Sequence, residues 1–311
     1  MKKKLISIVT PCFNEQLNVE KLYLEVSTIM NSMPYSYEYI FIDNCSTDDT
    51  VSIIKKLAKK DKNIKLIVNA RNFGHIRSPQ HAIYQTTGDA CILMHADLQD
   101  PPTLIKDFIS KWESGYKIVL GQKVNSQENK FMFYLRKKYY DFMNKISESQ
   151  ILSNCTGFGL MDQEVVKIMR KIDDPYPYLR GLLVDIGFPI ALIPYTQRQR
   201  HGGNSNSSFY TLYDYFMLGI TQHSKVPLRI ITIFGFIVSF LSLIIALIFL
   251  ILKILFWDSF IAGGAPMLIG IFFFGSLQAF FIGVLGEYIG SINTRVKRLP
   301  LVVESERVNF K

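Results

Sequence analysis

Two long apolar runs near one end constrain this chain more than any other feature. Ile230 to Leu252 is 23 residues without a charge, bounded by Arg229 and Lys253. As a helix it extends roughly 35 Å, enough for a hydrocarbon core of about 30 Å. A second run, from about Ile261 to Leu285, carries Gly263, Gly264, Pro266, Gly270, Gly275 and Gly283. Membrane helices tolerate such small residues, which let neighbouring helices approach closely. Back to back, the runs read as a transmembrane hairpin over 229–290. Lys225 and Arg229 precede it and Arg295, Lys297 and Arg298 follow it, whereas the connecting loop has only Lys253 and Asp258. The positive-inside rule then predicts a multi-pass protein of the cytoplasmic membrane with both flanking segments, and so both termini, in the cytoplasm.

The chain before the hairpin has a different grammar. Short β-rich runs, Leu5–Thr10, Tyr37–Asp43, Ile64–Asn69, Ala90–Ala96 and Lys117–Leu120, alternate with helical patterns at Glu15–Asn31, Asp48–Lys60, Ile76–Thr86 and Pro102–Ser114. This predicts an α/β domain over 1–205, built on a mainly parallel sheet whose ligands gather at the carboxyl ends of the strands. Polar residues do follow the strands: Asn14 and Glu15, Asp43 and Asn44, Arg71 and Asn72, Asp97 with Gln99 and Asp100. The first strand runs into Pro11-Cys12-Phe13-Asn14-Glu15, and neither GxGxxG nor GxxxxGK[ST] is present. A dinucleotide fold with its pyrophosphate on a glycine-rich turn is therefore excluded. A divalent ion held by Asp97 is the natural alternative for neutralising a diphosphate, since hard cations take oxygen ligands and few of them from the protein.

The formal charge of +9, from 35 Lys+Arg against 26 Asp+Glu, fits an anionic partner such as a phospholipid surface or a phosphorylated substrate. Nucleic acid is disfavoured, because the aromatic residues fall in the membrane region and not on an exposed basic sheet. Cys12, Cys45, Cys91 and Cys155 are scattered without a CxxC pair, which points to free thiols in a reducing compartment.

Five ordered motifs make a resemblance specific: Thr10 to Glu15, Phe41 to Thr50, Arg71-Asn72-Phe73-Gly74, Thr87-Gly88-Asp89-Ala90, and Ala96 to Pro102. Together they resemble glycosyltransferase family 2, and most nearly its polyprenyl-phosphate glycosyltransferases, the group of dolichyl-phosphate mannose synthase and the bacterial enzymes that glucosylate undecaprenyl phosphate. That bacterial group also ends in two spans and a short basic tail, here 291–311. The resemblance implies a GT-A-like fold, a nucleotide-diphosphate sugar donor (UDP- or GDP-linked), a polyprenyl phosphate acceptor, an Mg²⁺ or Mn²⁺ cofactor and association into a homo-oligomer. It matches Pro11, Asn14, Glu15, Asp43, Asn44 and Asn72 to the donor-nucleotide pocket, with Asp43 placed to hold the base. Asp97 matches the last Asp of the DxD signature, joined at the metal by Gln99 and, as a further candidate, His95. Arg200 matches an acceptor-loop arginine and is counted with Asp97 as catalytic; Arg198 joins it in holding the acceptor phosphate.

Three departures from the family pattern stand out. His95 replaces the first Asp of DxD, Asn44 replaces a second Asp after Asp43, and Gly157 occupies the place of an Asp proposed as catalytic base in many relatives. A lipid monophosphate is largely dianionic at neutral pH and needs no proton removed, so a missing base favours a phosphate acceptor over a hydroxyl. The competing reading is a catalytically impaired sugar-nucleotide or lipid-phosphate binding protein. Lys130 to Ile146 reads as a basic amphipathic helix, and 206–228 as an interfacial helix leading into the hairpin.

Overall fold

The computed structural model describes residues 3–125, 152, 154–198, 217, 224–256, 264–297 and 299–310. The expected amphipathic helix over 130–146, and most of the expected interfacial segment 206–228, lie outside the described residues, as does Arg200. The first half alternates as the hydrophobic runs require: β1 (Leu5–Cys12), α1 (Val19–Asn31), β2 (Ser36–Asp43), α2 (Thr50–Lys60), β3 (Ile64–Asn69), α3 (Gly74–Tyr84), β4 (Ala90–Leu93), a 3-10 turn (Pro102–Leu104), α4 (Ile105–Glu113) and β5 (Ile118–Asn125). Then come β6 (Cys155–Asp162), α5 (Gln163–Ile172), α6 (Leu179–Asp185), β7 (Ile190–Thr196), the long helices α7 (Val226–Leu255) and α8 (Gly264–Val296), and β8 (Glu304–Val308).

One eight-stranded sheet, ordered β7-β5-β6-β4-β1-β2-β3-β8, organises the domain. β1, β2, β3 and β4 are mutually parallel, but β6 runs antiparallel to β4 and β5, and β8 runs antiparallel to β3. The sheet is thus mixed, with its parallel centre where the sequence placed it. Because helices cover both faces, the central strands are apolar on both sides. In β2, Tyr37, Tyr39 and Phe41 join the core under α1, α2 and α4, while Ile40 and Ile42 join the core under α3, α5 and α6. Helix α1 buries Val19, Leu22, Val26 and Met30, one apolar stripe at helical spacing. Full burial of a residue such as Phe41 or Phe108 stabilises the fold by about 1.5–3 kcal/mol.

The segment read as a basic tail is part of this sheet. After α8 the chain returns and lays β8 along β3, and Asn309 Nδ2 donates to the carbonyls of Ala58 and Ile64, each at 2.8 Å. Helices α7 and α8 are long and apolar enough to cross a membrane, at 30 and 33 residues, and their large apolar side chains are exposed. The glycines of α8 do not serve its packing on α7: a Cβ built at Gly270, Gly275 or Gly283 meets nothing within 4 Å among the described residues. Near the domain the helices are tied by Tyr288, whose hydroxyl donates to the Ser224 carbonyl at 2.9 Å.

Candidate active site

The carboxyl ends of β1, β2 and β4 converge, and each is followed by a residue in the left-handed backbone region: Asn14 (φ 56°), Cys45 (φ 65°) and Leu98 (φ 59°). Non-glycine residues there cost of order 1 kcal/mol or more and gather where a site demands a particular loop shape. The loop after β1 is clamped to the loop after β2. Asn14 Oδ1 accepts from Thr47 N at 2.9 Å, Asn14 N donates to Ser46 Oγ at 2.9 Å, and Glu15 N donates to Thr50 Oγ1 at 2.8 Å.

Above these loops lies a cavity of about 280 Å³, bordered among others by Pro11, Glu15, Asn44, His95 and Asp97. Pro11 and Glu15 form the β1 side, and Glu15 is held by Asn18 Nδ2. On the β2 side, Asn44 is a spacer: its Oδ1 accepts from Asn69 Nδ2 (3.1 Å) and Phe73 N (2.9 Å), and its Nδ2 donates to Asn72 Oδ1 (2.7 Å). Asn72 Oδ1 also accepts from Gly74 N at 2.8 Å, so the Asn44–Asn72 pair fixes the first turn of α3 at the cavity rim. An Asp at 44 would have no amide hydrogens for Asn72, which gives the departure from the family pattern a structural reason. Asp43 does not border the cavity. It is fully buried beneath it, with one oxygen accepting from Ser46 N at 2.8 Å and the other from Ser46 Oγ; burial raises its carboxyl above the usual range.

Asp97 borders the cavity on the β4 side, its Oδ1 accepting from Gln99 N at 3.2 Å. Gln99 contributes its backbone, the carbonyl accepting from Arg198 N at 3.0 Å. His95 is oriented from behind: Nδ1 lies 3.2 Å from Asp100 Oδ2, and Asp100 Oδ1 accepts from the Tyr195 hydroxyl. Burial opposes the imidazolium, but the hydrogen bond and charge of Asp100 outweigh it and raise the His95 pKa; Asp100, itself buried, is lowered by His95 and Tyr195. The Asp100–Tyr195 support was not apparent from sequence, because Tyr195 arrives on β7, about a hundred residues away; the motif's second carboxylate was its only signal.

These residues fit a hard divalent ion that arrives with a diphosphate. Among the described residues no three His, Cys, Asp or Glu side chains converge as a preformed metal site. Asp97 nevertheless presents a carboxylate in the cavity with Glu15 across from it, and an ion such as Mg²⁺ takes one or two protein carboxylates and completes its shell from phosphate and water. His95 engages Asp100 through Nδ1, which leaves Nε2 as the nitrogen directed elsewhere.

A second cavity of about 240 Å³ continues from the first between α3 and α6; His75, Pro79, His95 and Thr156 border both. Gly157, next to the bordering Thr156, has φ 93°, and a Cβ there would approach Leu179 Cδ2 at 3.4 Å. An Asp at this position would carry a strained backbone; the glycine sits within β6, where the pairing with β5 is irregular. Arg198 borders neither cavity: its guanidinium pairs with Glu25 of α1 at 3.4 Å.

The family model described as "Glycosyl transferase family 2" matches residues 7–169, from β1 through most of α5. The chain belongs to glycosyl transferase family 2. The family 2 match spans the parallel strands, the cavity loops and the antiparallel β6, and with the mixed sheet it gives the domain its GT-A-like character. Similarity to individual proteins extends further. The chain is 31% identical over 302 residues to an uncharacterized glycosyltransferase of Synechocystis sp., covering 97% of this chain and 95% of that protein. It is 34% identical over 296 residues to the bactoprenol glucosyl transferase of Shigella phage SfX (95% and 97% covered), and 32% identical over 296 residues to a prophage bactoprenol glucosyl transferase homolog of Escherichia coli (95% and 96% covered).

Proposed function

We propose that this family 2 glycosyltransferase moves a hexose-type sugar from a nucleotide-diphosphate sugar, UDP- or GDP-linked, to a polyprenyl phosphate at the cytoplasmic face of the membrane. One observation carries the reading: similarity to proteins named bactoprenol glucosyl transferases runs over 95% of the chain, so it includes both apolar helices and not the catalytic domain alone. The lipid acceptor and the helices then share one explanation. The helices keep the domain at the surface where the lipid phosphate lies, with the flanking basic residues on the cytoplasmic side. The glycines of α8, where an added Cβ would meet nothing among the described residues, leave room for association with a second copy through the spans.

In this reaction a phosphate oxygen of the lipid attacks the anomeric carbon, the bond from that carbon to the diphosphate breaks, and its electron pair leaves with the nucleoside diphosphate, inverting the configuration. A dianionic phosphate monoester is itself the nucleophile, which accords with glycine at 157. Asp97 would hold a divalent ion, with Gln99 and His95 as neighbours; when bound, that ion offsets charge developing on the leaving diphosphate. Pro11, Glu15 and Asn44 shape the donor cavity, and Asp100 fixes the His95 ring beside it.

The test is a transfer assay with membranes containing the full chain, a panel of radiolabelled UDP- and GDP-sugars, and undecaprenyl phosphate. The expected result is a single labelled, organic-extractable product from one donor, lost on chelation and restored by Mg²⁺ or Mn²⁺. Donor binding with no lipid product from any sugar would instead mark a binding protein.

A further inference from the structure

The second cavity has a composition the donor does not explain. Among the described residues that border it there is no carboxylate, in contrast to the donor cavity with Glu15 and Asp97. Its polar members are Gln80, Thr156, Arg180 and the two shared imidazoles. Ile76, Leu93, Tyr178 and Leu179 form an apolar wall around them. Gln80 is 2% exposed, and its side-chain amide faces the Tyr84 hydroxyl one turn further along α3. The Arg180 guanidinium is fixed by donation to the Cys155 carbonyl at 3.0 Å and lies 5.0 Å from the Tyr178 ring centroid, an arrangement that holds its planar fork in one orientation.

The position of this cavity is as informative as its lining. The Asp173–Pro177 loop leads directly into Tyr178, Leu179 and Arg180. On its other side Asp174 Oδ2 meets Arg295 of α8 at 3.6 Å. Tyr178 lies four positions after Asp174, a reach of at most about 14 Å. The cavity thus adjoins the donor site on one side and, through this loop, lies near the end of a helix of membrane-crossing length.

We infer that the cavity between α3 and α6 seats a phosphate monoester bearing an apolar isoprenoid chain, with Arg180 as the positioning residue for the phosphate. The inference rests on the acceptor reading above and moves the phosphate contact from Arg198, which is paired with Glu25, to Arg180. The guanidinium meets the phosphate oxygens, and the apolar wall takes the first isoprenoid carbons.

Calorimetric titration of the purified full chain in detergent with farnesyl phosphate tests this, with inorganic phosphate and farnesol as separate arms. Wild-type protein should bind farnesyl phosphate and neither of the others comparably. Arg180→Gln should weaken that binding about ten-fold or more, with nucleotide binding and melting temperature held, and Arg180→Lys should recover part of the loss. Undiminished binding in Arg180→Gln overturns the assignment. Equal losses of farnesyl phosphate and nucleotide binding in both variants overturn it too, by reducing Arg180 to a prop for the Cys155 loop. Equal affinity for inorganic phosphate removes the isoprenoid part. Because binding is read without transfer, an Arg180-dependent seat in a protein that glycosylates no lipid would defeat the acceptor reading alone. Lipid transfer that continues undiminished in Arg180→Gln would defeat this inference alone.

Discussion

Two buried carboxylates show how single residues divide the work. Asp100 serves the site by holding His95, whereas Glu38, at the opposite end of the strands, serves only the fold. Glu38 is 4% exposed and accepts from Ser7 Oγ, from Thr87 N at 2.7 Å and from Lys65 Nζ at 2.6 Å. Burial alone would raise its pKa, but these donors outweigh burial and lower it. A carboxyl with a lowered folded pKa stabilises the fold fully above its unfolded value, about 4.3, and that contribution disappears as the pH falls through the folded value. Glu38→Gln should therefore cost roughly 1–3 kcal/mol at neutral pH, with the melting-temperature gap to wild type narrowing under acid and sugar transfer per folded molecule unchanged. A gap that is constant with pH would contradict the assignment. The Thr87-Gly88-Asp89 motif belongs to the same structural end: Gly88 N donates to Ser7 Oγ at 2.9 Å, and a Cβ at 88 would meet that oxygen at 2.6 Å. Its place among the family motifs thus reflects packing and not chemistry.

At the scale of elements, β8 is the feature that changes the anatomy. It converts the segment after the apolar helices into the outer strand of the catalytic sheet. It is held by His81–Glu304 and Lys55–Glu306 pairs and by Ser305 Oγ donating to the Val68 carbonyl at 3.0 Å. Deleting residues 301–311 should expose the β3 edge, lower the melting temperature by several degrees and promote aggregation, since an unpaired edge is a template for other strands. Unchanged melting and solution behaviour would show that β8 is dispensable. Sequence could not reveal this strand. Glu304-Ser305-Glu306-Arg307 has no apolar alternation, and its partner β3 lies more than two hundred residues earlier. The parallel strands were legible because burial on both faces makes them continuous apolar runs, as at Tyr39 to Ile42. Asp97 was legible because it follows such a run directly. Arg180 was not, since it lies on a short helix whose relation to β4 and α3 exists only in the folded chain.

In the whole molecule an α/β domain is joined to two apolar helices where, among the described residues, Arg295 meets Asp174 and Tyr288 meets Ser224. That junction adjoins the cavity assigned to the acceptor, and the donor cavity lies just beyond His95. On the proposed reading the donor arrives from water and the acceptor from lipid, with His95 and Thr156 on the border between their cavities and Asp97 on the donor side. If Asp97 in this cleft serves transfer to a lipid phosphate, wild type and Asp97→Asn, full length and in membranes, differ in forming labelled polyprenyl-phosphate sugar from the cognate nucleotide sugar. Wild type should give an organic-extractable product and Asp97→Asn at least about a hundred-fold less, with the melting temperature held. Comparable product from both proteins would contradict that role for Asp97.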